Sequence, residues 1–149
     1  MRQFYIVPDE YREHLNTNIK LPQRATEHSA AYDFFSPVDV IINPGESTLI
    51  FTDIYAKMYW DNVLMLFVRS SMGKHPIVIA NGTGIIDADY AENQNNFGNI
   101  GFRLLNLGNK PYEIKVGDRI GQGVFVKYGT VKNDNTTTKR SGGFGSSGK

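Results

Sequence analysis

The 149-residue chain contains no cysteine, which rules out disulfides, thiolate metal ligands and a cysteine nucleophile. Neither sign of charge dominates, since 16 Lys and Arg against 15 Asp and Glu leave a formal net charge of +1. A broad nucleic-acid surface needs a basic stripe, so stable nucleic-acid binding is not expected, while a small anion held by a few local cations remains open. No apolar run approaches the roughly 20 residues of a membrane span. The opening segment MRQFYIVPDEYREHL has no apolar stretch of the signal-peptide kind. A cytoplasmic protein without membrane contact is therefore expected. His14, His28 and His75 show no paired ligand spacing, so each reads as a solvated or hydrogen-bonding histidine and no dedicated metal site is expected.

What is present is ordinary for a globular protein, with 40% hydrophobic and 12% aromatic residues. The length suits one domain. Apolar or β-branched runs at 38–42, 47–51, 63–68, 77–80, 83–86, 100–107, 112–116 and 120–128 are separated by Gly, Asn, Asp or Pro. Many short strands so punctuated predict an all-β fold, a jelly-roll-like barrel or sandwich. Residues 8–15 have the makings of one or two helical turns, and 70–74 of one more with a serine cap. The expected organisation is a β-barrel domain over 1–128, a polar linker over 129–139 and a glycine-rich tail over 140–149. Extended at about 3.3 Å per residue, the linker reaches on the order of 35 Å. That approaches or exceeds the width of a domain whose radius of gyration is about 15 Å, so the tail can close over its own subunit or a neighbour's.

The tail, RSGGFGSSGK, is poor in side chains apart from one aromatic and one guanidinium. Its glycines add no core, but they let backbone N–H groups approach phosphate oxygens while Phe144 covers a flat ring and Arg140 pairs with charge. Arg69-Ser70-Ser71-Met72-Gly73 follows an apolar strand and offers a guanidinium and two hydroxyls of the kind that suit phosphate. In Asn81-Gly82-Thr83-Gly84-Ile85-Ile86-Asp87, two glycines bracket a tight turn and a carboxylate follows two apolar residues, where it can be held for base work. Gly117-Asp118-Arg119-Ile120-Gly121-Gln122 places Arg119 and Gln122 at another turn. Taken singly, each has a plain structural reading: a floppy terminus, a capped turn with a solvated arginine, a polar turn, a hairpin with a surface ion pair.

Their order is more specific. SAAYDF at 29–34, RSSMG at 69–73, GIIDADY at 84–90, GDRIGQ at 117–122 and RSGGFGSSG at 140–148 resemble, in sequence, the five motifs of the trimeric all-β dUTP diphosphatases, the dUTPases. The resemblance covers most of the chain and implies hydrolysis of dUTP to dUMP and pyrophosphate by water attacking the α-phosphorus. Asp87 matches the carboxylate that orients and deprotonates that water. Tyr90 matches the ring packed on the deoxyribose, leaving no room for a 2′-hydroxyl. Asn81 and the backbone around Gly84 match the uracil-reading edge, and Arg69, Ser70, Ser71 and Gln122 match phosphate contacts. Arg140 and Phe144 match lid residues over the γ-phosphate and the base, with Gly145, Ser146 and Ser147 beside them. Asp33 and Arg119 match supporting positions.

The resemblance further implies Mg²⁺ carried by substrate phosphates and water, and a homotrimer with shared sites. In that trimer the second and fourth motifs come from one chain, the third from another and the tail from the third. Three departures stand out: Val68 where the family commonly has proline, an early break at Pro76, and a long polar segment at 91–99, expected as an extended loop at the rim. Two rival readings remain open at this stage, a dCTP deaminase and a trimeric regulator of the same fold that binds a protein partner, as some phage members are thought to do.

Overall fold

Along residues 62–67 every second side chain is buried and those between are half-buried, the period-two signature of a strand with one face on a core. The same logic builds the rest of the computed structural model, which describes residues 1–143. Its strands are β1 (Gln3–Ile6), β2 (Gln23–Arg24), β3 (Tyr32–Phe35), β4 (Val40–Ile42), β5 (Ser47–Phe51), β6 (Ile54–Lys57), β7 (Asn62–Phe67), β8 (Ile77–Ile79), β9 (Gly84–Asp87), β10 (Gly101–Asn106), β11 (Tyr112–Ile114) and β12 (Arg119–Lys127). Among the described residues the helical pieces are 3₁₀ turns at Asp9–Tyr11, Ser70–Lys74 and Ala88–Tyr90, and no helix is long and apolar enough to cross a membrane.

The largest sheet has the order β2-β3-β12-β7-β9, a second has β5-β10-β8, and two pairs, β1-β6 and β11-β4, complete the shell. All pairings are antiparallel. Phe34, Ile42, Leu64, Ile100 and Leu104 are fully buried at the centre, with Phe102 beside them. The central strand β12 makes room for that ring: a Cβ on Gly121 would overlap the Phe102 side chain. Its pairing with β3 shifts between Arg119 and Gly121, a bulge that lets Ile120 and Gly121 both face inward. Beyond the bulge the alternation resumes, so Gln122 comes to the opposite face, level with Asp33 on β3 and Phe67 on β7.

The all-β expectation holds, and its local corrections have physical causes. Residues 8–15 form only the short turn Asp9–Tyr11, because the buried Asp53 carboxylate takes the N–H groups of Glu13 and His14, each at 2.9 Å, and these can no longer propagate a helix. The turn at Ser70–Lys74 does form, but its N-cap is Arg69 and no side chain caps it; burial of Met72 anchors it instead.

Candidate active site

β8 is an edge of the three-stranded sheet and β9 an edge of the five-stranded one. The chain passes between them through a turn at Gly82, whose φ of +82° suits glycine. Where the two sheets part, a cleft of about 330 Å³ opens. Leu66, Phe102 and Gly101 contribute to its walls from β7 and β10, with Asn81 and Gly84 on the turn side. Gly84 packs flush on β7, since a Cβ there would come within 2.9 Å of the Leu66 side chain. An edge strand leaves one side of its backbone without a strand partner, so the cleft is bordered by amide donors and acceptors at fixed spacing.

Asp87, the last residue of β9, and Tyr90, on the 3₁₀ turn that follows, also line this cleft. Arg140 closes it. Its Nη2 donates to Asp87 Oδ2 at 2.6 Å and its Nε to Asp89 Oδ1 at 2.8 Å, with the guanidinium 5.8 Å from the Tyr90 ring centroid. The hydrogen bond it donates to Asp89 raises the arginine's pKa above its ordinary value. The arginine thus lies on the carboxylates of its own chain. Tyr90 is 5% exposed, and burial raises its phenol pKa above the usual value.

A second group of expected residues gathers elsewhere. Asp33 Oδ1 accepts Arg69 Nε at 2.8 Å, and Arg119 approaches Asp33 Oδ2 at 3.7 Å. Gln122 Nε2 donates to the Val68 carbonyl at 3.2 Å, next to Arg69, and exposed Ser70 and Ser71 continue from it on the turn. Arg69 and Arg119 line their own cleft of about 400 Å³, together with Tyr112 and Gly117. One buried carboxylate therefore holds Arg69 by a hydrogen bond and stands within ion-pair reach of Arg119 in a separate opening.

The structure therefore groups Asn81, Gly84, Asp87, Tyr90 and Arg140 in one cleft and Arg69, Arg119, Asp33 and Gln122 around another. Phe144, Gly145, Ser146 and Ser147 lie outside the described residues. The segment 91–99 is corrected: Asn93 and Asn99 are buried, and the loop packs beneath Tyr90 through hydrogen bonds from Asn93 Nδ2 to the Tyr90 carbonyl and from Tyr90 Oη to the Asn99 carbonyl. Its polarity serves internal bonds, whereas a polar run without periodicity reads in sequence as solvated loop. Gly142 and Gly143 are buried, and a Cβ on Gly143 would come within 3.1 Å of Asn96 Oδ1.

The dUTPase family model matches residues 17–148. The chain is 39% identical over 136 residues to the deoxyuridine 5′-triphosphate nucleotidohydrolase of Lactococcus lactis, covering 89% of this chain and 91% of that one. It is 36% identical over 141 residues to the enzyme of the same name from Mus musculus, covering 91% and 82%. Among solved structures, the dUTPase of Streptococcus mutans superposes with a TM-score of 0.77 at 33% identity, covering 87% of this chain and 98% of that one. A cleft that groups a carboxylate, a buried tyrosine and a tail arginine, on a fold and sequence shared with these enzymes over nearly the whole length, establishes that the chain belongs to the dUTPase family.

Proposed function

We propose that Asp87 is the general base in the dUTPase reaction of this chain, the hydrolysis of dUTP to dUMP and pyrophosphate. Its carboxylate is half-exposed at the end of β9, so a water molecule can reach it from the open side of the cleft. A cleft of about 330 Å³ falls within the range of roughly 300–1,000 Å³ typical of small-ligand sites. Uracil seated against the backbone around Gly84 and the Asn81 side chain would match one donor and two acceptors. Cytosine would leave polar groups unpaired there, a strong form of discrimination. The deoxyribose then lies on Tyr90, and the buried ring has little room to retreat from a 2′-hydroxyl.

Arg140 Nη2 donates to the Asp87 carboxylate in the structure. An ion pair open to solvent contributes only about 0–1 kcal/mol, so a triphosphate, which offers several charged oxygens for charge-assisted bonds, draws the guanidinium away at small cost. That exchange frees Asp87 to accept a proton from water as the water oxygen attacks the α-phosphorus. The bond to the bridging α–β oxygen breaks, and pyrophosphate leaves. The residues fit Mg²⁺ carried by the substrate: among the described residues no three His, Asp or Glu side chains converge, and a hard hydrated ion is satisfied by phosphate oxygens and water. Bound in that way, the ion neutralises part of the triphosphate charge.

The phosphate-binding set lies around the other cleft, so one chain does not present both halves at one opening. The outer face of the large sheet supports assembly into a trimer that joins them. Met65 stands between Val124 and Ile85, and Val63 pairs with Val126; Ile85 is 53% exposed and Val126 39%. An apolar sheet face left open calls for a partner surface, and a second and third copy would bring Arg69, Ser70, Ser71 and Gln122 of one subunit to Asp87 of another. The grouping of Asp87, Tyr90, Asn81 and Gly84 in one cleft carries the reading. Pyrophosphate release measured across dUTP, dCTP, dTTP and UTP tests it: dUTP should be strongly preferred, and comparable turnover of dCTP or UTP would overturn it.

A further inference from the structure

Asn96 has no role in the reaction described above, yet it holds the most constrained ring of the site. Its Nδ2 donates to Tyr90 Oη at 2.8 Å, while its Oδ1 accepts from Asn93 Nδ2 at 2.8 Å and from the Gly98 N–H at 3.1 Å. Tyr90 Oη donates in turn to the Asn99 carbonyl at 2.9 Å. The phenol is thus gripped from both sides by one loop. That loop is itself fixed: Asn99 Nδ2 donates to Asp53 Oδ1 at 2.8 Å, and the Asp53 N–H donates to Asn99 Oδ1 at 2.9 Å. Asp53 is fully buried and is tied to the N-terminal segment through Glu13 and His14. Phe97 adds an aromatic anchor, its ring centroid 5.3 Å from Tyr55 and 5.2 Å from Tyr11.

We propose that Asn96 is a positioning residue for sugar selectivity: with Asn99, whose place is set by Asp53, it holds the Tyr90 ring at the height where it meets a 2′-hydroxyl. The proposal rests on the reading of Tyr90 as the sugar-facing ring. A ring excludes one extra oxygen only if it cannot retreat, and a supporting shell must hold such a group to within about 0.5 Å. Two opposed hydrogen bonds on one phenol oxygen meet that need better than packing alone. Asn96 also abuts Gly143 of the tail, so its loss acts on binding in general; a ratio between substrates, and not a rate, is therefore the informative quantity.

The test compares kcat/KM for UTP and dUTP in the wild type, Asn96→Ala, Tyr90→Phe, their double variant, and Tyr90→Ala. Asn96→Ala removes the bond that Asn96 donates to the phenol, and Tyr90→Phe removes that bond together with the one to the Asn99 carbonyl. Asn96→Ala should therefore raise the UTP-to-dUTP ratio by about three- to tenfold, the range one hydrogen bond commands, and Tyr90→Phe by at least as much. The double variant should go no further than the larger single one, and Tyr90→Ala should raise the ratio at least as much. If Tyr90→Ala moves the ratio while Asn96→Ala and Tyr90→Phe lower both activities evenly, the loop is plain scaffold and the proposal fails. An unmoved ratio in Tyr90→Ala removes the sugar-facing reading, and the proposal falls with it. Should Asn96→Ala not fold, Tyr90→Phe keeps the ring and removes both bonds on the phenol, so a raised ratio there supports the grip by Asn96 and Asn99 and an unmoved ratio overturns the proposal.

Discussion

Asp87 and Asp33 are both carboxylates beside arginines, and their surroundings give them different work. Asp87 is half-exposed and paired with Arg140 at 2.6 Å. Asp33 is buried and holds Arg69 at 2.8 Å on an interior strand. Asp87→Asn keeps the shape but cannot accept a proton, so kcat should fall by about 10²–10⁴-fold with the melting temperature unchanged; turnover equal to wild type would remove Asp87 as the base. Asp89→Asn should be milder, because Asp89 engages only the departing arginine. Asp33→Asn should act on binding. A charge-assisted hydrogen bond contributes about 1.5–3 kcal/mol, so losing the one that aims Arg69 should raise KM for dUTP by roughly tenfold or more. A fall in kcat with KM untouched would show that Asp33 does not support phosphate binding.

At the scale of elements, the close approach of β12 to β10 makes a sharp demand. Gly121 faces the Phe102 ring with no space for a methyl group, whereas Gly73 has nothing within 4 Å. Gly121→Ala should therefore destabilise by about 1–3 kcal/mol through overpacking, lowering the melting temperature by several degrees, while Gly73→Ala should be close to neutral. Equal melting temperatures for the two variants would contradict the packing account. Elements like β5, β7, β8 and β12 were legible because their own residues alternate or run apolar between turn signals. β1 and β6 were not, since they are edge-of-shell partners of each other about fifty residues apart and carry no local pattern. Tyr32–Phe35 was visible only as a motif. The loop at 91–99 was misread because its asparagines find their partners in Tyr90 and Asp53, and nothing in the string NQNNFGN announces a tyrosine before it or an aspartate 46 residues away. The candidate site residues come from motif order, and their separation into two clefts follows from strand order, which the motifs do not carry.

For the whole molecule, that separation is the fact with the largest consequence. Asp87 stands at one opening and Arg69 lines another, while Ile85 and Val126 lie exposed on the outer face of the large sheet. We propose that a working site joins the Asp87 cleft of one subunit to the Arg69 cleft of another. Subunit mixing separates this from a site built within one chain. Asp87→Asn and Arg69→Ala chains, each nearly inactive alone, are co-refolded, and dUTP hydrolysis is measured after mixed trimers have been verified. Some mixed sites would pair an intact Asp87 with an intact Arg69, so activity should rise well above that of either parent. Verified mixed trimers with no recovery would mean that both residues serve the same site from one chain, and the shared-site account would be wrong.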